Sequence, residues 1–368
     1  MNTTAVIAKK EFSESLRSTR FMILFGLFLF MLLLSAYQGT QAYNDELETY
    51  NAQMGSGNTD MPKPSILTAF QQLLGTMRES SGITIVGAII GIIIGVDAIS
   101  GERERGTLKF LLTQPIYRDT LINGKLLGFT ILIFTVVAIS SIMTIAVVGG
   151  ITGVFPGGDD AARILFFDCM MFIYIMTFAV IGLFFSVFLK QSFDALLAAI
   201  ALFIIITLLI SPVATAVASF IAPMPSQSQV FVMQGGGGQT MPVVFAGGDR
   251  AASNRTGGAV LNRTGVSRGW QGMSTEMRDA MTKNRDVRQK IMYLSPSENF
   301  RQVNEVILDP YFEAMGGGQG SFGFRSQIQH SLSEGLGMVW GNILAILVGL
   351  ILFFIASYVM FLRQDLGR

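Results

Sequence analysis

Long apolar runs separated by polar connections dominate the pattern of this chain. Six of these runs approach the roughly 20 residues that an α-helix needs to cross a bilayer. Charged side chains are costly at the centre of such a helix, and the runs contain almost none except Asp168. The pattern predicts an all-α integral membrane protein with six transmembrane helices, at approximately 21–37, 83–96, 121–145, 164–189, 193–221 and 336–362.

Composition supports this class and excludes others. With 51% hydrophobic and 14% charged residues, the chain is too apolar for an ordinary soluble domain. A net charge of +1 excludes a strongly basic nucleic-acid binder, and the single Cys169 excludes an intramolecular disulfide. The run 83–96 is the shortest, and we expect residues 67–74 to lengthen that helix at its outer end.

Basic residues near the ends of the spans predict the orientation. With six spans, the amino-terminal segment, the second-to-third connection, the fourth-to-fifth turn and the tail all lie on one side of the membrane. That side, with both termini, should be the cytoplasm of a cell-membrane protein. The basic residues concerned are Lys9, Lys10, Arg17, Arg20, Arg103, Arg105, Lys109, Arg118, Lys125, Lys190, Arg363 and Arg368.

An extracytoplasmic insertion, residues 223–335, is predicted between the fifth and sixth spans. Glycine clusters indicate loops, followed by helical patterns over 274–294 and from 295 to 307. Asn254 and Asn262 each begin an Asn-Arg-Thr triplet, which is either a glycosylation acceptor or a chance occurrence. The remaining predicted divisions are 1–20, 21–222 and 336–368.

The second-to-third connection, residues 101–125, is a charged amphipathic insert between two apolar runs. Leu108, Leu111 and Leu112 share one helical stripe, and Pro115 ends the helix. Such a helix either docks into a groove of a soluble partner or lies on the lipid surface. The pattern alone leaves both alternatives open.

The residues of this insert carry a family resemblance that is specific in order and spacing. Gly101-Glu-Arg-Glu-Arg-Gly-Thr-Leu, Leu111-Leu-Thr-Gln-Pro, Arg118 and Gly124-Lys125 resemble the signature of ATP-binding-cassette type-2 permeases, including the NosY-like group. The resemblance extends over the six-span frame but does not cover residues 227–282.

Residues 1–20 are similar to the interfacial elbow helix of the same family, through Lys10-Glu-Phe, Leu16-Arg-Ser and Arg20-Phe. An amphipathic helix lying on the membrane would separate its faces between lipid and water. We expect Ala5, Ala8, Phe12 and Leu16 to face lipid, and Lys9, Glu14 and Arg17 to face water.

The resemblance implies a permease subunit that pairs with a second permease, identical or not, and rests on two separate ATPase subunits. ATP and Mg²⁺ would bind to those partners, so this chain would be no enzyme and bind no cofactor. The insert would be the coupling helix, and the turn from Lys190 to Asp194 would make a second ATPase contact. The predicted ATPase-coupling residues are Glu102, Glu104, Gly106, Thr107, Leu108, Leu111, Leu112, Pro115, Arg118, Lys190 and Asp194.

Glu102 and Glu104 have two open interpretations. Either they form ion pairs with basic residues of the partner or of the elbow helix, or they solvate the connection together with Arg103 and Arg105.

Asp168 is a candidate intramembrane site, because ionisable residues within spans line a pathway or pair internally. Its nearness in sequence to Asp159, Asp160 and Arg163 offers the alternative that it lies near the outer interface. Gly87, Gly91 and Gly95 recur every fourth residue and predict a close packing seam rather than a flexible gate.

Met273, Met277 and Met281 form a stripe in the insertion. Thioethers are suitable ligands for copper(I), but methionine is also a common gap-filler on apolar surfaces. Metal handling is therefore the weaker alternative.

Three classes of function remain at this point. The first is the permease of an ABC exporter, of unspecified cargo. The second is a membrane scaffold or mechanotransmission subunit that binds an extracytoplasmic partner through residues 223–335. The third, an ATP-independent channel or secondary transporter, predicts charged midplane sites, for which Asp168 is the lone candidate.

Overall fold

The computed structural model describes residues 3–55, 63–72, 82–106, 117–223, 231–234, 240–243, 275–309 and 330–363. Six helices in these segments are long and apolar enough to cross a membrane, which confirms the predicted number. In chain order the elements are α1 (Thr3–Arg17), α2 (Thr19–Gly55), α3 (Leu67–Gln71), α4 (Ile83–Glu104), α5 (Arg118–Thr152), α6 (Gly158–Phe188), α7 (Ser192–Ile221), β1 (Phe231–Gln234), β2 (Thr240–Val243), α8 (Thr275–Met292), α9 (Pro296–Leu308) and α10 (Leu332–Arg363).

Helix α2 is much longer than its apolar run. Its 37 residues correspond to about 55 Å, against about 30 Å for a bilayer core, so its polar second half extends beyond the apolar layer. Helix α3 is a separate element that packs on α2, where the Gly39 backbone meets the Ala69 carbonyl. Among the described residues, the expected lengthening of the second span by residues 67–74 is therefore not observed.

Helices α4 and α6 form the centre of the bundle. In the most apolar windows of these two helices 72% of the residues are buried, compared with 11% in α7 and α10. The exposed apolar faces of the outer helices are those expected of surfaces that meet lipid or another helix. The all-helical class is thus confirmed for the spans, and the antiparallel β1–β2 hairpin adds a small strand pair to the insertion.

Glycines explain how closely the two central helices pack. On α4, Gly87 contacts Ile175 of α6, Gly91 faces the Ile175 carbonyl, and Gly95 faces the Ala179 carbonyl. On α6, Gly182 faces the Ile92 carbonyl in return. The predicted seam is therefore a contact within one chain, in which backbone meets backbone.

The chain divides into two compact units, residues 1–212 with 291–368, and residues 213–290. In the second unit, Asn284 Nδ2 of α8 donates to the Ala222 carbonyl at 2.9 Å. In the first, Phe300 of α9 stacks on Tyr174 of α6 with ring centroids 4.6 Å apart. Residues of the predicted 223–335 insertion are thus distributed over both units, and α9 belongs with the spans.

Gly95→Ala tests the α4–α6 seam. The added methyl group would overlap the Ala179 carbonyl and approach the Leu183 amide nitrogen to 2.7 Å, so we expect a loss of about 1–3 kcal/mol in the free energy of unfolding. Denaturation in mixed micelles measures this value. Gly26→Ala on α2, where no atom lies within 4 Å, is the control. Equal stability of both variants would contradict the assigned seam.

Candidate functional site

Helix α1 lies tightly against the beginning of α5. A methyl group on Gly124 would approach Ile7 Cβ to 2.8 Å, and one on Gly128 would approach Glu11 Cβ to 2.7 Å. Ala8 is consequently buried at α5, which corrects the expectation that it faces lipid. The two glycines on α5 have no side chain, so α1 can approach α5 closely. Ala8, which the sequence pattern predicted to face lipid, therefore packs on α5.

Four charged side chains meet at this contact and form what we call the elbow ion network: Lys10, Glu11, Glu102 and Lys125. Glu102 Oε1 lies 3.1 Å from Lys10 Nζ and 3.0 Å from Lys125 Nζ. Lys125 Nζ also donates to Glu11 Oε1 at 2.7 Å. The network joins α1, α4 and α5, and its two cations balance its two carboxylates.

Burial makes the network sensitive to geometry. The side chains of Lys125 and Glu102 are 0% and 3% exposed, and a buried charge is expensive unless it is paired and hydrogen-bonded. Burial raises the pKa of the Glu11 carboxyl, because Lys125 offsets only part of the desolvation. Burial alone would lower the pKa of Lys10, but the carboxylates of Glu102, Glu11 and Glu14 together outweigh it and the Lys10 pKa is raised.

A second set of contacts ties the end of α4 to the turn between α6 and α7. Arg103 Nη1 donates to the Leu189 carbonyl at 3.0 Å, and Glu104 Oε1 accepts from the Ser192 amide at 2.6 Å. Glu104 is therefore more than a solvating charge, and both glutamates of the signature are engaged within this chain. We call the surface formed by these ties and the elbow ion network the elbow face.

A π-helical turn, Asp97–Gly101, precedes the ties in α4. Ser186 Oγ of α6 accepts from the amides of Ile99 at 3.1 Å and Ser100 at 2.8 Å, and donates to the Val96 carbonyl at 2.6 Å. A wide turn disturbs the usual helical ladder, and this hydroxyl satisfies backbone groups there. The last turns of α4 are thus fixed to α6.

The other predicted coupling residues fall into two groups. Lys190 and Asp194 are exposed at the α6–α7 turn, on the elbow face. Gly106, with φ of +74°, is the last described residue before the gap at 107–116. Thr107, Leu108, Leu111, Leu112 and Pro115 lie outside the described residues, as does the side chain of Arg118 at the start of α5. Their ATPase-coupling role stays a prediction.

Asp168 has an internal partner. Ser141 Oγ of α5 donates to Asp168 Oδ2 at 2.6 Å, and both line a cavity of about 20 Å³ together with Ser140 and Thr144. Ser141 lies about 16 Å along α5 from the helix end at Thr152. The hydrogen bond from Ser141 gives the Asp168 carboxyl a partner within the chain. A role of Asp168 in the passage of cargo stays a prediction.

The alternative sites of the insertion are only partly described. Met273 and the side chain of Met277 lie outside the described residues, and Met281 is half-buried. Asn254 and Asn262 also lie outside them. Within the described segments, no three His, Cys, Asp or Glu side chains are grouped as metal ligands. Copper binding by the methionines stays a prediction.

Sequence reasoning missed the role of Glu11 and gave Lys125 no partner. A signal was present, because Glu11 follows Ile7 by one helical turn and so places a carboxyl on the apolar stripe of α1. A charge on that stripe requires an opposite charge on the surface it meets. Lys125, beside Gly124, is that charge.

These features define a multi-pass helical membrane protein with a charged, internally tied face at one end of its bundle. A model of the ABC-2 family transporter proteins matches residues 5–366, and the chain belongs to that family. Over 140 residues it is 28% identical to the probable ABC transporter permease protein NosY of Stutzerimonas stutzeri. The alignment covers 38% of this chain and 43% of that relative. The resemblance of the chain to this family is thereby confirmed.

Lys125→Met tests the elbow ion network. It leaves Glu11 buried without its cation, and we expect a loss of about 3–5 kcal/mol in the free energy of unfolding. The double variant Glu11→Gln/Lys125→Met removes both charges and should recover most of this loss, since Glu102 keeps Lys10. Glu14→Gln breaks a half-exposed pair with Arg105 and should cost at most about 1 kcal/mol. Additive losses in the double variant would show that the network is not coupled.

Proposed function

We propose that this chain is the permease subunit of an ABC exporter, which couples ATP hydrolysis on separate subunits to movement of a substrate across the membrane. Family membership supports the transporter, and the similarity to the probable NosY permease supports the permease role. The observation that favours coupling is the elbow face. There the second-to-third connection and the α6–α7 turn, which the resemblance assigns to ATPase contacts, are hydrogen-bonded to each other.

The contacts provide a mechanical route. A displacement of residues 101–125 reaches α4 through Glu102 and α5 through Lys125, because both side chains share the elbow ion network. The Glu104 tie to Ser192 carries the same displacement to α7. A rigid-body movement of several spans together is one of the established ways in which a local change alters access.

The proposal includes partners and an orientation. Two cassette ATPases would bind ATP and Mg²⁺, and a second permease subunit would complete the pore. The elbow face would be cytoplasmic, because basic residues concentrate in its connections. Both termini would then be cytoplasmic, and residues 223–335 would lie outside the cytoplasm.

A scaffold that transmits force to an extracytoplasmic partner is the second candidate. The observation that favours it is the separate compact unit of residues 213–290, most of which belongs to the predicted insertion. If it is right, a secreted protein co-purifies with the full chain and is lost when residues 223–290, which leave the α7 span intact, are replaced by a short linker, while the ATPase remains bound.

Leu111→Asp tests the attachment of the ATPase. We expect the full chain to co-purify with a cassette ATPase in mild detergent, and the aspartate to abolish this by placing a charge on the apolar stripe of the insert. Lys109→Ser, off that stripe, is the matched control and should retain the ATPase. Absence of any cassette ATPase from the unaltered chain, under conditions that preserve complexes, would overturn the permease proposal.

Glu104→Ala tests coupling separately from attachment. It removes the acceptor of the Ser192 amide, so we expect the ATPase to stay bound while transport-linked turnover falls about fivefold or more, the lower end of typical coupling energies. ATP hydrolysis by the complex in proteoliposomes measures this. Lys9→Gln, an exposed charge on α1, should leave turnover unchanged. Full turnover in the Glu104 variant would mean that this tie transmits nothing.

A further inference from the structure

A cavity of about 560 Å³ opens on the elbow face between α1, the start of α2 and α4. Its volume lies within the roughly 300–1,000 Å³ of typical ligand sites. One part of its lining is apolar, formed by Phe21, Ile93, Ile94, Ala98 and Phe129. The rest is polar, so the cavity presents two chemistries to one occupant.

The charges around this cavity are almost all paired. Lys10 and Glu11 belong to the elbow ion network, Glu14 binds Arg105 at 2.8 Å, and Asp97 lies 3.5 Å from Arg20. Arg17 also lines the cavity, and within the described part of the chain no side chain forms an ion pair with it. The cavity therefore has a guanidinium available for an anion from outside the chain.

The occupant must match both parts of the lining. A free phosphate would satisfy Arg17 but leave the apolar wall in contact with water, whereas a hydrocarbon would leave the guanidinium unused. A phospholipid has an anionic phosphodiester, which guanidinium groups bind well, next to an apolar glyceride. The cavity lies where α2 enters its apolar run at Phe21, so the bilayer can supply this molecule.

We propose that this cavity binds a phospholipid of the leaflet on the elbow face, with the phosphodiester at Arg17 and the glyceride against Phe21, Ile93 and Ile94. The seryl hydroxyls of Ser15 and Ser18, which also line the cavity, are further donors for the head group. The lipid would fill the space between α1 and the bundle and so hold the elbow helix in place. This site requires only a bilayer and is independent of ATP and of cargo.

Native mass spectrometry of the full chain in a non-ionic detergent tests the proposal. The probes are dioleoylphosphatidylglycerol, dioleoylglycerol, which has the same chains without phosphate, and glycerol phosphate, which has no chains. We expect one phospholipid per chain to be retained, with little retention of the other two probes. Equal retention of dioleoylglycerol would overturn the proposal in favour of an apolar groove, and saturation by glycerol phosphate would overturn it in favour of a soluble-anion site.

Two variants locate the binding. Arg17→Gln should weaken phospholipid retention about tenfold or more, as expected for the loss of a charged hydrogen bond. Lys9→Gln removes the same charge from the same helix but does not line the cavity, and should bind as the unaltered chain does. Equal weakening by both would show general surface attraction and overturn the site.

A photoreactive residue in place of Ser15 identifies what covers the cavity in membranes. We expect cross-links to phospholipid. Cross-links to a second copy of the chain would overturn the proposal and assign the cavity to a subunit interface. Because neither experiment includes an ATPase, their outcome is separate from that of the proposed function.

Discussion

Glu102 Oε1 forms ion pairs with two ammonium groups that belong to different helices, Lys10 of α1 and Lys125 of α5. Lys125 and Glu102 are buried, so each depends on the other, because a buried cation that loses its carboxylate has no water to replace it. Lys10 is half-exposed and joins the pair from the water side. The arrangement is therefore cooperative, and a shift in one helix is resisted by all three. The position of the elbow helix, the end of α4 and the start of α5 follow from this one carboxylate.

Close backbone packing is the condition that lets such short charged side chains meet. Gly124 and Gly128 bring α1 to the surface of α5, and Gly91 and Gly95 bring α4 to α6. In a bilayer the apolar effect does not distinguish lipid from protein, so contact area and polar pairing must hold helices together. This bundle uses both, with glycine seams inside the apolar layer and ion pairs at its edge.

The sequence was sufficient for the six spans, because hydropathy and helix length are local properties that the bilayer imposes directly. It also singled out Glu102, since the Glu-Arg-Glu-Arg run that begins at Glu102 is a local motif. It could not place Ala8 or pair Glu11 with Lys125, which are 114 positions apart. Whether an amphipathic stripe faces lipid or protein depends on the surface opposite, and periodicity does not contain that information. The length of α2 was not predicted either, because hydropathy identifies only its apolar half. Its polar half is stabilised by packing and by its own helical hydrogen bonds, which hydropathy does not report.

Helix α9 takes part in a chain of hydrogen-bonding groups that joins four helices within the bundle. Tyr174 Oη donates to the Thr84 carbonyl of α4 at 3.1 Å and lies 3.1 Å from Ser297 Oγ of α9, which in turn lies 3.1 Å from Thr207 Oγ1 of α7. Tyr174 is about 21 Å along α6 from Phe188 at the elbow end. The beginning of α4 is thus hydrogen-bonded to α6, and through Tyr174 of α6 it is linked to α9 and α7. The end of α4 is hydrogen-bonded to the α6–α7 turn. Under the proposed function, a displacement applied to α4 at the elbow face cannot remain there, because the same helix is hydrogen-bonded at both ends.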